Sequence, residues 1–142
     1  MAAKGTSFDN DLLKLIFTAT AIGNIADNAA SSPLTNLYVS LHTGSPAGTS
    51  QTTNEAAYGS YARVAVARST SGFTVTSNSV SPASTITFPV ATSGSETETF
   101  FGIGTSSSGT GKLLYYGPVS PTIAVSTGIQ PQLLASSTVT EA

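Results

Sequence analysis

Residues 36–48 read NLYVSLHTGSPAG, and this stretch marks where the chain changes from helical to β character. The apolar run LYVSL ends at His42 and gives way to Gly, Ser and Pro, which favour turns. From this point to the C terminus, short β-prone runs alternate with Gly, Pro, Ser and Asn. The pattern therefore predicts a series of strands that are separated by turns.

The predicted strands recur at intervals of about 8–12 residues, which is typical of a sandwich or barrel. They lie at Leu37–Thr43, Tyr61–Arg68, Phe73–Thr76, Thr85–Phe88, Thr97–Gly102, Lys112–Tyr116, Thr122–Val125 and Ser137–Thr140. The predicted fold class is all-β, an antiparallel β-sandwich of jelly-roll type with an N-terminal helical arm. The predicted division is a helical arm at residues 1–35 and a β-sandwich domain at residues 36–142.

The N-terminal segment has the apolar spacing of a helix. Thr6 and Asp9 are spaced as a capping box, and a short further turn is expected in ADNAASSP before Pro33. Gly23 and Asn24 are expected to end the helix. Apolar residues cover so much of its circumference that the helix is either buried in its own domain or docked on another chain. The residues predicted to form an interface are Phe8, Leu12, Ile16 and Phe17.

His42 is the only histidine, and the chain has no cysteine. A general base needs an orienting partner, and a metal site needs several ligands. No G-x-S-x-G motif supplies an activated serine. His42 is therefore predicted to end a strand, and no catalytic residue, cofactor or metal ligand is assigned.

The glycine-rich stretch FGIGTSSSGTGKLLYYG, residues 101–117, does not fit a phosphate-binding loop. Gly104 and Gly109 have the Walker A separation, but Thr110 follows where lysine is required. The stretch instead predicts a hairpin in which TETFFGIG, residues 97–104, pairs with KLLYYG, residues 112–117.

The remaining polar candidates also favour structural roles. Glu96 and Glu98 are two residues apart, hence on one face of a strand, where like charges repel mildly. Asp9 and Asp11 lack the glycine and glutamate of a calcium loop. The five tyrosines have no basic neighbours that would indicate nucleobase binding, so they are predicted to be core and interface residues.

Charged residues make up only 8% of the chain, against about 25% in ordinary soluble domains. The net charge is −2, and the basic residues form no stripe that could neutralise phosphates. No nucleic-acid partner is predicted. The N terminus lacks a signal peptide, and LLKLIFTATAIG is too short to cross a bilayer, so no membrane partner is predicted. A surface so poor in charge favours a component of an assembly.

A family resemblance covers nearly the whole chain. Its residues are FDNDLLKLIFTATAIGNIADNAASSPLTNLYVSLHTGSP, TNEAAYGSYARVAVARSTSGFTVTSNSVSPASTITFP, FFGIG and KLLYYGPVSPTIAVSTGIQPQL. Together they resemble a family of small virion proteins of tailed bacteriophages. Members are labelled tail-fibre or minor tail proteins, and some similar small β-sandwich proteins are capsid cement proteins. The resemblance implies a non-enzymatic virion protein that is made in the host cytoplasm.

The first expectation within this class is a capsid decoration, or cement, protein that bridges major capsid subunits. It follows from a small chain with no coiled coil or fibrous repeat and with an apolar arm suited to docking. Its expected partners are the major capsid protein and copies of itself, as a dimer or trimer. A minor tail or tail-fibre protein is the alternative. A carbohydrate-binding receptor module, built on the tyrosines and polar loops, is a second alternative.

Overall fold

The computed structural model describes residues 6–22 and 33–141, with side chains from residue 9 onward. The helix α1 spans Thr6–Phe17. The strands are β1 Asn36–His42, β2 Val64–Ala67, β3 Phe73–Thr76, β4 Ser79–Pro82, β5 Ile86–Thr87, β6 Ser95–Gly104, β7 Leu113–Ser126, β8 Gln132–Leu133 and β9 Val139–Thr140. The fold class is the predicted one, all-β with antiparallel sheets and an N-terminal helix.

Contacts between residues divide the chain into two compact units. Unit 1 comprises Met1–Asn36, Val66–Thr85 and Leu134–Ala142, and unit 2 comprises Leu37–Ala65 and Ile86–Leu133. The predicted boundary between an arm at residues 1–35 and a β domain at 36–142 remains a prediction, since contacts alone do not show whether the β domain folds without the helix.

The main sheet of unit 2 has the strand order β2–β1–β6–β7. Strand β1 pairs antiparallel with β6, from Tyr38 opposite Gly104 to His42 opposite Phe100. Alternate residues of β1 point to opposite faces of the sheet. One face carries the buried apolar side chains of Leu37, Val39 and Leu41, and the other carries buried polar ones. The buried apolar residues in this unit are Leu37, Val39, Leu41, Ala56, Tyr58, Ile86, Phe88, Ala91, Ile103, Leu113, Val125 and Leu133.

The hairpin predicted from the glycine-rich stretch is confirmed. Strands β6 and β7 pair antiparallel, with Ile103 opposite Tyr115 and Gly104 opposite Leu113. β7 is longer than predicted, because it joins the two predicted strands at 112–116 and 122–125 into one. It does so across a bulge: Phe100 is opposite Pro118 and Glu98 is opposite Ile123, so one residue of β6 faces residues 119–122 of β7.

Unit 1 contains the three-stranded sheet β3–β4–β9 and the helix α1, which packs on β3 and β4. Leu13 and Phe17 of the helix are fully buried. The Phe17 ring meets the Phe73 ring edge-on, with the centroids 4.9 Å apart. Burying side chains of this size contributes roughly 1.5–3 kcal/mol each, so this contact is a main part of the apolar core of unit 1.

The helix ends sooner than the sequence predicts. Its last residue is Phe17, and Ala19 adopts a left-handed conformation with φ 55°. The predicted ending at Gly23 and Asn24, and the predicted turn in ADNAASSP, lie outside the described residues.

Arg68 donates hydrogen bonds to the backbone carbonyls at the end of α1. Its Nε donates to the Ile16 carbonyl at 2.5 Å, and its Nη2 donates to the Leu15 carbonyl at 2.6 Å. The last carbonyls of a helix have no partner within the helix and carry partial negative charge. The guanidinium satisfies two of them and stabilises this end of the helix.

Substituting Arg68→Met should lower the free energy of unfolding by roughly 1.5–3 kcal/mol, because the two charge-assisted hydrogen bonds to the end of α1 and a longer one to the Leu34 carbonyl are lost. Urea unfolding would measure the change. Lys112→Met, which removes the charge of an exposed lysine, is the matched control and should change stability little. Equal stability of the two variants would contradict the capping role.

Candidate functional site

The strongest polar cluster in unit 2 is an ion pair between Glu55 and Arg63. The Nε and Nη2 atoms of Arg63 donate to the two carboxylate oxygens of Glu55 at 2.6 and 2.8 Å. The side chains are only 2% exposed for Arg63 and 16% exposed for Glu55. The hydrogen bond to Glu55 is the main reason that the pKa of Arg63 is raised. This bidentate geometry is the strongest form of such a pair.

Arg63 also binds the turn between β6 and β7. Its Nη1 donates to the Ser106 carbonyl at 2.8 Å, and its Nη2 donates to the Gly109 carbonyl at 2.7 Å. The segment that sequence analysis treated as a simple Ser/Gly turn is therefore fastened by a buried guanidinium. We call Glu55, Tyr61 and Arg63 the Arg63 cluster.

Tyr61 links this cluster to the main sheet. Its hydroxyl donates to Glu55 Oε1 at 3.0 Å and accepts from the Leu41 backbone N–H at 3.1 Å. Burial, and then the charge of Glu55, raises the pKa of Tyr61 far above its ordinary value. The phenol is thus neutral at any physiological pH and serves as a hydrogen-bonding bridge.

A second fastening of the same turn comes from Gln51, which is fully buried. Its side-chain Oε1 accepts the Ser106 N–H at 2.9 Å, and its backbone N–H donates to the Thr110 carbonyl at 2.8 Å. A Cβ atom at Gly104 or Gly111 would overlap the Gln51 side chain. Glycine at these two positions is therefore explained by packing against Gln51 and not by phosphate binding.

A cavity of about 280 Å³ opens beside the Arg63 cluster. It is lined by Glu55, Ala56, Tyr61, Ala62, Arg63, Ser107, Ser108 and Gly109. Glu55 and Arg63 neutralise each other, and four of the five guanidinium N–H groups are already used within the protein. The polar groups of the lining therefore mainly form hydrogen bonds within the protein that stabilise the fold.

His42 is the last residue of β1, as predicted, and it is fully buried. Its Nδ1 lies 2.9 Å from the Thr53 carbonyl, which can only accept, so Nδ1 carries the proton. Nε2 then accepts from the Ser40 hydroxyl at 2.8 Å. Burial is the main reason that the pKa of His42 is lowered, so the ring is neutral.

The Ser40–His42 hydrogen bond resembles the pairing of a nucleophile with a base, but the pair is sealed. Both side chains have no exposed surface. Gly102 of β6 lies directly against them, since a Cβ atom there would be 2.7 Å from Ser40 Oγ and 2.8 Å from His42 Nε2. No substrate can reach the hydroxyl in this structure, so the pair supports the backbone of the loop at Thr53.

The residues predicted to form an interface differ in how deeply their side chains are buried. Phe17 lies in the core of unit 1, whereas Leu12 and Ile16 are half-buried and keep part of their surface. The side chain of Phe8 lies outside the described part of the chain. Their role as an interface remains a prediction.

The tyrosines do not form one exposed stacking surface. Tyr58 is buried at 3% exposure, Tyr61 and Tyr115 are partly buried, and Tyr116 is 47% exposed. The Tyr58 and Tyr61 rings meet edge-on at 5.3 Å, and Tyr61 stacks on Phe88 at 6.5 Å. Tyr58 and Tyr61 therefore belong to the interior of unit 2.

Across residues 6–22 and 33–141, no three His, Cys, Asp or Glu side chains lie close enough together to hold a metal ion. The helix in these ranges has neither the length nor the hydropathy needed to cross a bilayer.

Sequence reasoning missed the Arg63 cluster and the Gln51 anchor. In a chain with so few charges, the opposite charges of Glu55 and Arg63 within nine residues were the available signal. Gln51 carried no such signal, because nothing in its neighbourhood distinguishes a buried glutamine from an exposed one.

Taken together, the antiparallel sheets and the buried Arg63 cluster, which binds the loops of unit 2, define an all-β protein. A family model described as podophage GP4 fiber I protein gp80 matches residues 7–140. Because this match covers nearly the whole chain, the protein belongs to that family and is a structural protein of a phage virion. No curated protein matches the chain.

Breaking the Arg63 cluster should strongly destabilise unit 2. Arg63→Met or Glu55→Gln alone leaves one buried charge without its partner, which costs about 3–5 kcal/mol. The double variant should lose clearly less than the sum of the two single losses. Urea unfolding of all three variants gives the coupling free energy directly.

Trypsin cleavage after Lys112 gives an independent local measurement. In Arg63→Met the turn loses its anchors at Ser106 and Gly109, so cleavage should be faster than in the unchanged protein under native conditions. In Glu55→Gln the anchors remain, and cleavage should accelerate less. Equal rates in the two variants would contradict the fastening of the turn by Arg63.

Proposed function

We propose that the protein is a fibre component of a podophage virion, located at the tail and not on the capsid surface. The observation that carries this proposal is the family match over residues 7–140, since that family is described as a fibre protein. The expectation of a capsid cement protein, derived from the small size and the lack of fibrous repeats, is less well supported. A short chain without repeats is compatible with one module of a larger fibre.

The internal structure of unit 2 suits such a role. The turn between its two longest strands is held by Arg63 and Gln51, which limits motion at one end of the β6–β7 hairpin. β7 carries no charged residue along its whole length from Leu113 to Ser126. A fixed, uncharged strand imposes little electrostatic repulsion when copies of one chain come together. The proposed partners are therefore copies of the protein itself and other tail proteins. The major capsid protein is no longer proposed as a partner.

Labelling the protein in intact virions should locate it. Gold-labelled antibody, or a difference map between complete and deletion particles, should show density at the tail. Deletion particles should adsorb poorly to host cells, whereas their heads should resist heat as well as complete heads do. Density on the capsid, with heads that rupture at a lower temperature, would support the cement function and overturn the fibre proposal.

The half-buried side chains of α1 provide a proposed contact with a neighbouring chain. Leu12 and Ile16 lie on the same helix as Leu13 and Phe17, whose side chains are buried in the core of unit 1. Their remaining apolar surface is available for burial in an assembly, which is favourable by roughly 25 cal/mol per Å².

The double substitution Leu12→Gln and Ile16→Gln should reduce incorporation into virions at least several-fold, with only a modest loss of stability. Complementation of a deletion phage, followed by quantification of the protein in purified particles, would measure this. Lys14→Gln, on the same helix, is the control and should incorporate normally. Normal incorporation of the double variant would limit α1 to a role in the core of its own unit.

A further inference from the structure

The outer edge of β7 is the longest strand edge in the described part of the chain. β7 lies at one end of the sheet order β2–β1–β6–β7, so β6 is its one neighbour among the described strands. An edge strand presents N–H and C=O groups that can pair with a strand of another chain. The loop at Thr49 covers the start of this edge, since the Leu113 N–H donates to the Thr49 carbonyl at 3.0 Å. The open part of the edge therefore begins after Leu113.

Pro118 indicates which backbone groups of β7 point outward. The pairing with β6 is regular here, with Gly102 opposite Tyr116 and Phe100 opposite Pro118. Proline has no N–H, so within a sheet it occupies positions whose nitrogen faces away from the neighbouring strand. Backbone groups two residues apart in a strand point the same way, so the N–H and C=O of Tyr116 also point outward. Pro121 and the bulge interrupt the strand further on, which confines regular pairing to the segment around Tyr116.

The composition of β7 favours pairing with a second copy of the same strand. In an antiparallel pairing about a two-fold axis, the residue on the axis lies opposite itself, so a charged residue there would face an identical charge. β7 has no charged side chain from Leu113 to Ser126. The Tyr116 side chain is 47% exposed, and tyrosine is enriched in protein interfaces whereas charged residues are depleted from their centres.

The opposite edge of the same sheet is protected against pairing. β2 has only four residues, Val64–Ala67, and Arg63 and Arg68 lie directly before and after it. Short edge strands and charged side chains both discourage pairing with another chain. Of the two edges of the four-stranded sheet, β7 is therefore the one suited to association.

We propose that β7 of one copy pairs antiparallel with β7 of a second copy, with Tyr116 of each chain at the two-fold axis. The two Tyr116 residues then exchange two backbone hydrogen bonds, and their side chains lie side by side on one face. Two four-stranded sheets become one continuous sheet. This pairing names the surface through which copies associate, so it rests on the proposed fibre function, in which copies of the protein are partners.

Cysteine crosslinking tests the register, because the chain has no native cysteine. Tyr116→Cys should give a dimer in high yield with a short bismaleimide, since the two thiols lie beside the axis. Ser126→Cys is the matched control on the same strand. Its two copies lie roughly 60 Å apart in the paired dimer and should not crosslink. Equal yields for the two variants would overturn the proposal.

Sedimentation equilibrium measures the association without a crosslinker. The unchanged protein should form a dimer, and Tyr116→Lys, which places two like charges at the axis, should raise the dissociation constant at least several-fold. Ala124→Lys, which adds the same charge at another exposed position of β7, is the control and should dimerise normally. A protein that stays monomeric up to millimolar concentration, a trimer, or equal weakening by both substitutions would contradict the pairing. If circular dichroism shows that Tyr116→Lys does not fold, the crosslinking comparison decides.

These measurements use the purified protein, so they are separate from the test of its location in the virion. A dimer that crosslinks at Tyr116, together with density on the capsid, would overturn the fibre function alone. A monomer, or a dimer that does not crosslink at Tyr116, together with density at the tail, would overturn the β7 pairing alone.

Discussion

One buried guanidinium joins the parts of unit 2 that the sheet alone does not hold. Arg63 contacts Glu55, which lies eight residues earlier, and the carbonyls of Ser106 and Gly109, which lie more than forty residues later. The contacts with Ser106 and Gly109 close a long stretch of chain, and ordering such a stretch is opposed by conformational entropy. The charge-assisted hydrogen bonds of the Arg63 guanidinium offset this loss of conformational entropy.

The other buried polar groups of unit 2 extend the same arrangement along one face of β1 and β6. Ser40 and His42 hold the loop at Thr53, and Gln51 holds the turn at Ser106. Buried polar groups of this kind tolerate few alternative packings, because each displaced donor or acceptor would lose its partner without regaining water. In unit 2 these hydrogen bonds hold the loop at Thr53 and the turn at Ser106 against the main sheet.

The strands were largely predictable, and the exceptions share a cause. β1, β3 and the β6–β7 hairpin follow alternating apolar residues bounded by turn residues. β4, with the sequence SVSP, and the two-residue β8 were missed, because their residues have weak β propensity. These two segments are strands because they pair with neighbouring strands. β4 lies between β3 and β9, and β8 pairs with β5. Propensity is readily overridden by neighbours in a sheet. The end of α1 was also missed, and one group that binds it, Arg68, lies fifty-two residues after Ile16.

By itself, the sequence determined the all-β class with an N-terminal helix, the hairpin at residues 97–117 and the place of His42 at the end of a strand. These features depend on periodicity and turn residues within short windows. It also placed Glu96 and Glu98 on one face of a strand. Only the tertiary structure decided that Glu98 is fully buried, that His42 pairs with Ser40, and that Arg63 binds the turn at Ser106. Burial and hydrogen bonding depend on what distant segments bring to the same place, and no local pattern records that.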